Sequence, residues 1–478
     1  MTESKLITLL RTLDEEEMRK FGKFLEGTAQ RKSPDRIAFF NYLKKYHPEF
    51  PVKKTEREYV AQKLFAKDAN RIKKIENLMH TIGSVLEDFL LYEELKAQQT
   101  QRDFLLLEIY KKRKLDKFFF KKIEQIEKSW EKEKPAGIEQ LHNEYLIKKM
   151  CFTHPNYSII SDASITQDDL IYRIDKHYFA VKLYWTLCAI VSKSFVATSD
   201  KETLRKQHFI QKILDTSLQT EFQNTPQIKL LSEMCRAFMN NDFQNYSQMK
   251  SLFMSHLDIY DQYEKYDILL LFLTTICYEN HRQGKEESMR ELFEINKYAT
   301  ENGFIFENGS IPHVNFRNIV YIACAAEELD WAEHFVDNYG RFLGEEDADN
   351  IVILCKALVS FSRGDYDVVL DKLARAKFQD VFYNAQVRSV LLQCYYELDD
   401  ELFFGSVDAF RNFLGRNKAL ASNTKKAFSN FIHFTKKLKK AEHEFRPDVK
   451  HLLDEIANTN NVVNKTWLIS KVEILRHN

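Results

Sequence analysis

Residues 350–377, NIVILCKALVSFSRGDYDVVLDKLARAK, decide how the chain folds. Ala357 is the small side chain that lets two helices approach closely, and Gly364 can leave helical dihedrals without penalty. Asp365 then caps a second helix. Tyr366, Val369, Leu373 and Ala376 recur at three- and four-residue steps, so that helix carries one apolar stripe to lay against the first. The stretch therefore reads as two short helices folded back on each other across a Gly-Asp-Tyr turn.

The unit repeats. Asp365 recurs as Asp400 and is preceded by Asp330, 35 residues away on each side, and Cys394-Tyr395-Tyr396 stand before the Asp400 turn as first-helix residues do. A fixed period of this length is the signature of stacked helix pairs. Turns at Asn241-Asp242, Gly284-Lys285 and Asp330-Trp331 continue the series upstream with looser register. Cys151, Cys188, Cys235, Cys277, Cys324, Cys355 and Cys394 follow it, 31 to 47 residues apart, and read as small buried spacers.

The unit resembles a tetratricopeptide (TPR) repeat in its small-residue slot at Ala357, its Gly364-Asp365-Tyr366 turn and its Ala376 late in the second helix. It departs from that family where Val369 and Leu373 replace an alanine and an aromatic. The resemblance implies an all-α chain, an α-solenoid of antiparallel helix pairs forming a TPR-like superhelix. It also implies a groove lined by first helices that holds extended peptides or partner helices, with Leu358, Phe361, Gln393, Tyr396 and Glu397 at groove positions. For Phe361 and Tyr396 ordinary packing between repeats is the competing reading.

Composition sets the outer bounds. A 478-residue chain with 12 Gly, 8 Pro and 29% charged residues suits one long helical body better than a fold of many tight turns. Seventy basic residues balance seventy acidic ones, so no global field draws the chain to nucleic acid or to a membrane surface. Residues 1–150 nevertheless carry about seven more basic than acidic groups. The opening MTESKLITLL lacks the pattern of a secretory signal, and an odd number of well-separated cysteines argues for a reducing cytoplasm. The longest apolar run, Ile268 to Tyr278, is too short to span a bilayer.

Along the chain, Asp14 and Glu17 form a capping box that starts a helix ending at Gly27. GTAQRKSPD leads into Ile37, Phe40, Tyr42, Leu43 and Tyr46, which stop at His47-Pro48. Thr55 is expected to cap a helix through Phe65. From Asn70 to about Leu95, Ile72, Ile75, Met79, Ile82, Leu86 and Phe89 mark the clearest amphipathic helix. LLRTLDEEEMRKFGKFL, FFNYLKKYHPEF, VAQKLF and the distant NKTWLISKVEIL are similar to a family of uncharacterised bacterial all-helical proteins of similar length. GTAQRKSPD departs from the aromatic-rich segment which that family places there.

These readings divide the chain into a small helical N-terminal domain (1–97), a TPR-like solenoid (98–445) and capping helices (446–478), with Gln98–Gln101 as a short joint. Phe104 to Lys132 reads as one helix, ended by Lys134-Pro135-Ala136-Gly137. His154 to Asp169 and Gly303 to Pro312 read as loops, the latter the longest interruption among the repeats.

Chemistry is absent where it is easiest to see. There is no Gly-rich phosphate loop, no Gly-x-Ser-x-Gly, no His-Glu-x-x-His and no Cys-x-x-Cys, so neither an enzyme, a cofactor nor a metal site is expected. His443 and His451 read as solvent-facing. The default function is a protein-protein interaction scaffold or adaptor that binds a protein or peptide partner through the groove. A cryptic enzyme is a further class. The alternative is a regulator whose front domain binds nucleic acid. There, Thr55 to Phe65 followed by Arg71, Lys73 and Lys74 at the head of a long helix would act as a helix-turn-helix. The same basic residues opposite an apolar stripe also describe a solvated helix face. Lys111 to Lys122 around Phe118, Phe119 and Phe120, and Lys436, Lys437, Lys439 and Lys440, share that ambiguity.

Overall fold

All regular structure among the described residues is helical, apart from isolated bridges at Glu307–Ser310 and Ile311–Leu343. The computed structural model describes the chain except at positions 2, 28–33, 133–136, 157–164, 195–210, 217–221, 223, 283–286, 345–347, 375, 377, 443–447, 460 and 478. The stop cluster 134–136, the turn expected at Gly284-Lys285, His443, and most of the helix expected over Leu204 to Phe222 lie outside the described residues. Contacts divide the chain into two compact units, Met1–Lys134 with Leu146–Thr166, and Pro135–Tyr145 with Gln167–Asn478.

The first unit holds α1 (Lys5–Arg11), α2 (Glu15–Gly27), α3 (Pro34–Lys44), α4 (Val52–Thr55), α5 (Arg57–Phe65), α6 (Arg71–Ala97), α7 (Gln99–Lys112) and α8 (Asp116–Lys132), with the second half of α9 (Ile138–Phe152). The stripe on α6 organises it: Ile75, Met79, Ile82, Leu86 and Phe89 are buried, and α1, α2, α3 and α5 all pack on that helix. Ile72, by contrast, is 42% exposed, so the stripe begins one turn later than its spacing suggests. The capping box closes at the start of α2, where Glu17 N donates to Asp14 Oδ1 at 2.7 Å and Asp14 N to Glu17 Oε2 at 2.9 Å.

Two local expectations are corrected. Thr55 does not cap α5; it ends α4, and its hydroxyl turns back to the carbonyls of Phe50 and Pro51. The segment 104–132 is two helices, because Lys114 takes a left-handed φ of 56° between α7 and α8. Leu107, Phe119, Ile123 and Ile126 of those helices form a small core with Ile147 and Cys151. The break at the expected joint is the single residue Gln98.

The second unit holds α10 (Gln167–Ser194), α11 (Pro226–Asn240), α12 (Tyr246–Met254), α13 (Gln262–Tyr266), a π-helical segment (Asp267–Leu273), α14 (Thr274–Arg282) and α15 (Glu287–Glu301). It continues with α16 (His313–Ala325), α17 (Leu329–Tyr339), α18 (Ala348–Arg363), α19 (Tyr366–Ala374), α20 (Val381–Glu397), α21 (Phe403–Arg416), α22 (Ser422–Ala441), α23 (Val449–Asn458) and α24 (Lys465–His477). From α16 onward consecutive helices pack as pairs, and the first helices also meet one another, α16 on α18 and α20 on α22. Ala357 and Cys355 are fully buried in α18, as a close helix approach requires.

One turn recurs. Asn241, Glu327, Gly364 and Asp399 each take a positive φ, and the next residue donates its N–H to the carbonyl five positions back: Asp242 to Ala237, Glu328 to Ala323, Asp365 to Ser360 and Asp400 to Tyr395, all at 2.9 to 3.0 Å. This left-handed closure satisfies helix-end carbonyls that would otherwise be orphaned. Gly303 ends α15 in the same way, with Phe304 N on Ala299 O. The turn expected at Asp330-Trp331 lies at Glu327-Glu328. Asp330 is instead in the first turn of α17, where it pairs with Arg363 at 2.8 Å.

Candidate interaction surface

Helix α16, HVNFRNIVYIACA, has two faces. Phe316, Ile319, Val320 and Ala323 are buried, while Val314 and Tyr321, each 53% exposed, flank Arg317 on the other side at steps of three and four. Arg317 lies across to α20. Its Nη1 donates to Gln386 Oε1 at 2.9 Å, its Nη2 to Asn318 Oδ1 at 2.8 Å, and its Cζ stands 5.7 Å and 5.8 Å from the ring centres of Phe382 and Tyr383.

Among the described residues no carboxylate pairs with this guanidinium. Burial holds its pKa below the ordinary arginine value, the side chain nevertheless staying cationic. The Tyr321 phenol is also pushed up by burial although the residue is half exposed, with Tyr278 of α14 as a further contributor. Such a side chain is hemmed in on several sides and open on one. A cation without an anion, backed by two rings and flanked by accessible apolar groups, is arranged to receive a carboxylate or similar oxyanion.

The expected groove residues fall elsewhere. Leu358 and Phe361 of α18 are half-buried, the ring of Phe361 edge-on to Tyr366 at 5.3 Å. Gln393 and Tyr396 are 5% and 4% exposed, and together with Glu397 they lie under the chain's own last helix rather than in an open groove. Asn464 Nδ2 donates to Gln393 Oε1 at 3.0 Å, Lys471 Nζ to Glu397 Oε2 at 2.6 Å, and Trp467 stands 5.3 Å from Tyr396. Leu468 and Val472 of α24 are buried in one core with Phe431 and Leu438, so the helix is seated by its apolar face.

The basic residues of the nucleic-acid alternative are partly spoken for. Lys74 Nζ sits 2.9 Å from Asp35 and 3.1 Å from Asp68, over the ring of Phe65 at 4.4 Å; the hydrogen bond to Asp35 leads in raising its pKa. Arg71 is half-buried and Lys73 exposed. In the other basic clusters, Lys122 pairs with Asp103 at 2.7 Å, Lys437 with Glu455 at 2.7 Å, and Lys439 lies between Asp399 and Glu442 at 2.6 and 2.9 Å. Of the three adjacent phenylalanines, Phe118 is 55% exposed and Phe119 fully buried.

The loop 303–312 closes on itself through an Asn308-Gly309 turn with both φ angles positive, and Ile311 N binds Phe342 O at 2.8 Å. It borders a cleft of about 520 Å³ lined chiefly by Phe306, Trp331, Phe335, Tyr339 and Phe342. Trp331, Phe335 and Tyr339 stack in turn at 5.4 and 5.1 Å along one face of α17.

No protein-family model, no curated protein and no solved structure matches the chain at a significant level. Among the described residues there is no cluster of His, Cys, Asp and Glu able to hold a metal ion, and no helix is long and apolar enough to cross a membrane. Arg317 escaped sequence reading because spacing rules count apolar residues. Its signal was a lone charged residue, an arginine between Val314 and Tyr321, on a helix with no carboxylate of its own.

Proposed function

We propose that the chain is a non-enzymatic scaffold, an α-solenoid of antiparallel helix pairs whose first helices α14, α16, α18 and α20 present an inner surface to an acidic segment of a partner protein. The observation that carries this is Arg317, partly desolvated against Phe382 and Tyr383 with no carboxylate paired to it among the described residues. A partner carboxylate would supply the missing charge with bidentate geometry, while Val314, Tyr321 and Tyr278 would receive apolar side chains beside it. The recurrent left-handed turns and the contacts between first helices support the repeat arrangement, and seven free thiols suit a cytoplasmic place of action.

The test is capture of partners by the full chain and by Arg317→Gln, followed by anisotropy with acidic and neutralised versions of the captured segment. Arg317→Gln should keep its helical circular dichroism and lose at least about tenfold in affinity for the acidic version only. Equal binding of both versions, or by both proteins, would remove the proposal.

A further inference from the structure

Helix α10 is apolar on two opposite faces, and among the described residues one of them is uncovered. Phe179, Ala180, Leu183, Leu187 and Val191 are buried, and the helix packs on α11. On the far side Ile171, Ile174, Tyr178 and Trp185 are 56%, 43%, 45% and 64% exposed. Val181, half-buried, borders the same side, whereas half-buried Cys188 packs against the unit's own core. The order 171, 174, 178, 181, 185 alternates steps of three and four, which is the seam spacing of a two-helix coiled coil and is narrower than a single helix needs for its own core. A tryptophan this open in such a row is the side-chain type that most often anchors an interface.

We infer that this face is the dimerisation seam of the chain, closed by α10 of a second copy running antiparallel. The stripe is self-complementary in that direction. A two-fold axis between residues 179 and 180 sets Trp185 over the partner copy's isoleucine at 174 and Tyr178 over its valine at 181, so each layer joins a larger side chain to a smaller one. The same axis brings Asp175, beside the seam, toward the lysine at 182 of the other copy. A contact in which one patch meets itself is what a two-fold homodimer requires. The seam spans about 21 Å of helix, which places it at the small end of specific interfaces and makes the dimer reversible, with a dissociation constant on the order of micromolar. The inference is independent of the Arg317 surface.

The test uses the full chain. Sedimentation velocity from about 1 to 100 μM should show the mass moving from one chain to two. Ile174→Glu with Trp185→Glu replaces only exposed side chains, so helical content and Tm should hold while the dissociation constant rises roughly thirtyfold or more. Orientation is read by oxidising a mixture of Tyr178→Cys and Val181→Cys chains: the mixed cross-link should form faster than either cross-link between like chains. A chain that stays monomeric throughout, or a double variant with unchanged dissociation constant, would overturn the inference. Preferential self-linking of Tyr178→Cys would indicate a parallel seam and overturn it equally.

Discussion

The indole Nε1 of Trp467 donates to Oε1 of Glu397 at 2.7 Å, joining the last helix of the chain to one that ended seventy residues earlier. The same carboxylate takes the ammonium of Lys471, in a pair whose side chains are only 10% and 18% exposed. Glu397→Ala should therefore cost on the order of 3 kcal/mol, because it leaves a largely buried lysine without its anion. Trp467→Phe, which keeps most of the packing and loses one hydrogen bond, should cost nearer 1 kcal/mol. Urea unfolding of the two variants checks the order.

Arg317 should behave in the opposite way. Removing a desolvated cation that lacks an anion relieves the free protein, so Arg317→Met should leave its stability unchanged or raise it by about 1 kcal/mol. The same substitution should abolish binding of an acidic segment. A loss of 2 kcal/mol or more in the unliganded variant would show that the guanidinium serves packing instead.

Glu264 makes stability depend on pH. It is 6% exposed and accepts Ile138 N at 2.6 Å and Asp261 N at 3.3 Å. Burial raises its pKa from 4.5 to about 7, opposed by the Ile138 N–H and reinforced by Asp261 and Asp267. The folded state thus holds this proton more tightly than the unfolded chain. Its contribution to stability is full below about 4.5 and falls as pH rises toward 7, by roughly 3 kcal/mol, then levels off. The urea midpoint of Glu264→Gln relative to the unaltered protein should rise across that window and stay flat above it.

Thiol chemistry should be slow. Burial pushes Cys235, Cys277 and Cys394 up to about 12 and Cys151, Cys188 and Cys324 up to about 11, with Cys355 also raised. Near pH 8 the thiolate fraction falls about a hundredfold or more below that of an ordinary cysteine. Labelling of the native protein should begin at Cys188 and Cys324, which are only half-buried, and all seven should react once it is denatured. Rapid native labelling of four or more would contradict this.

What could be read from sequence was what neighbours in the chain determine. The α6 stripe and the Asp14–Glu17 capping box need only residues three or four apart, and both form. The turn at Gly364 was visible because glycine is at home at positive φ. At Glu327 the same backbone is carried by a residue with no turn signature, and the reading slipped to Asp330. Gln393, Tyr396 and Glu397 show the limit from the other side. Periodicity tells which face of α20 its paired helix leaves uncovered, but not that a helix some seventy residues later will lie on it. The bare seam of α10 was hidden by its symmetry, since a helix apolar on two sides has no dominant face to read.

The π-helical segment Asp267–Leu273 has a consequence for changes of chain length. It carries more residues per turn than the α-helix that follows, while Ile268, Leu269, Phe272 and Leu273 all remain buried. Deleting one residue there can be absorbed by tightening to α geometry, with Ile276 and Cys277 of α14 kept on the core side. The same deletion in α18 has no slack to draw on. It would turn everything beyond the cut by about 100° and carry Leu354, Cys355 and Ala357 out of their places. Loss of a single codon should accordingly be tolerated at 267–273 and rejected in the regular helices around it.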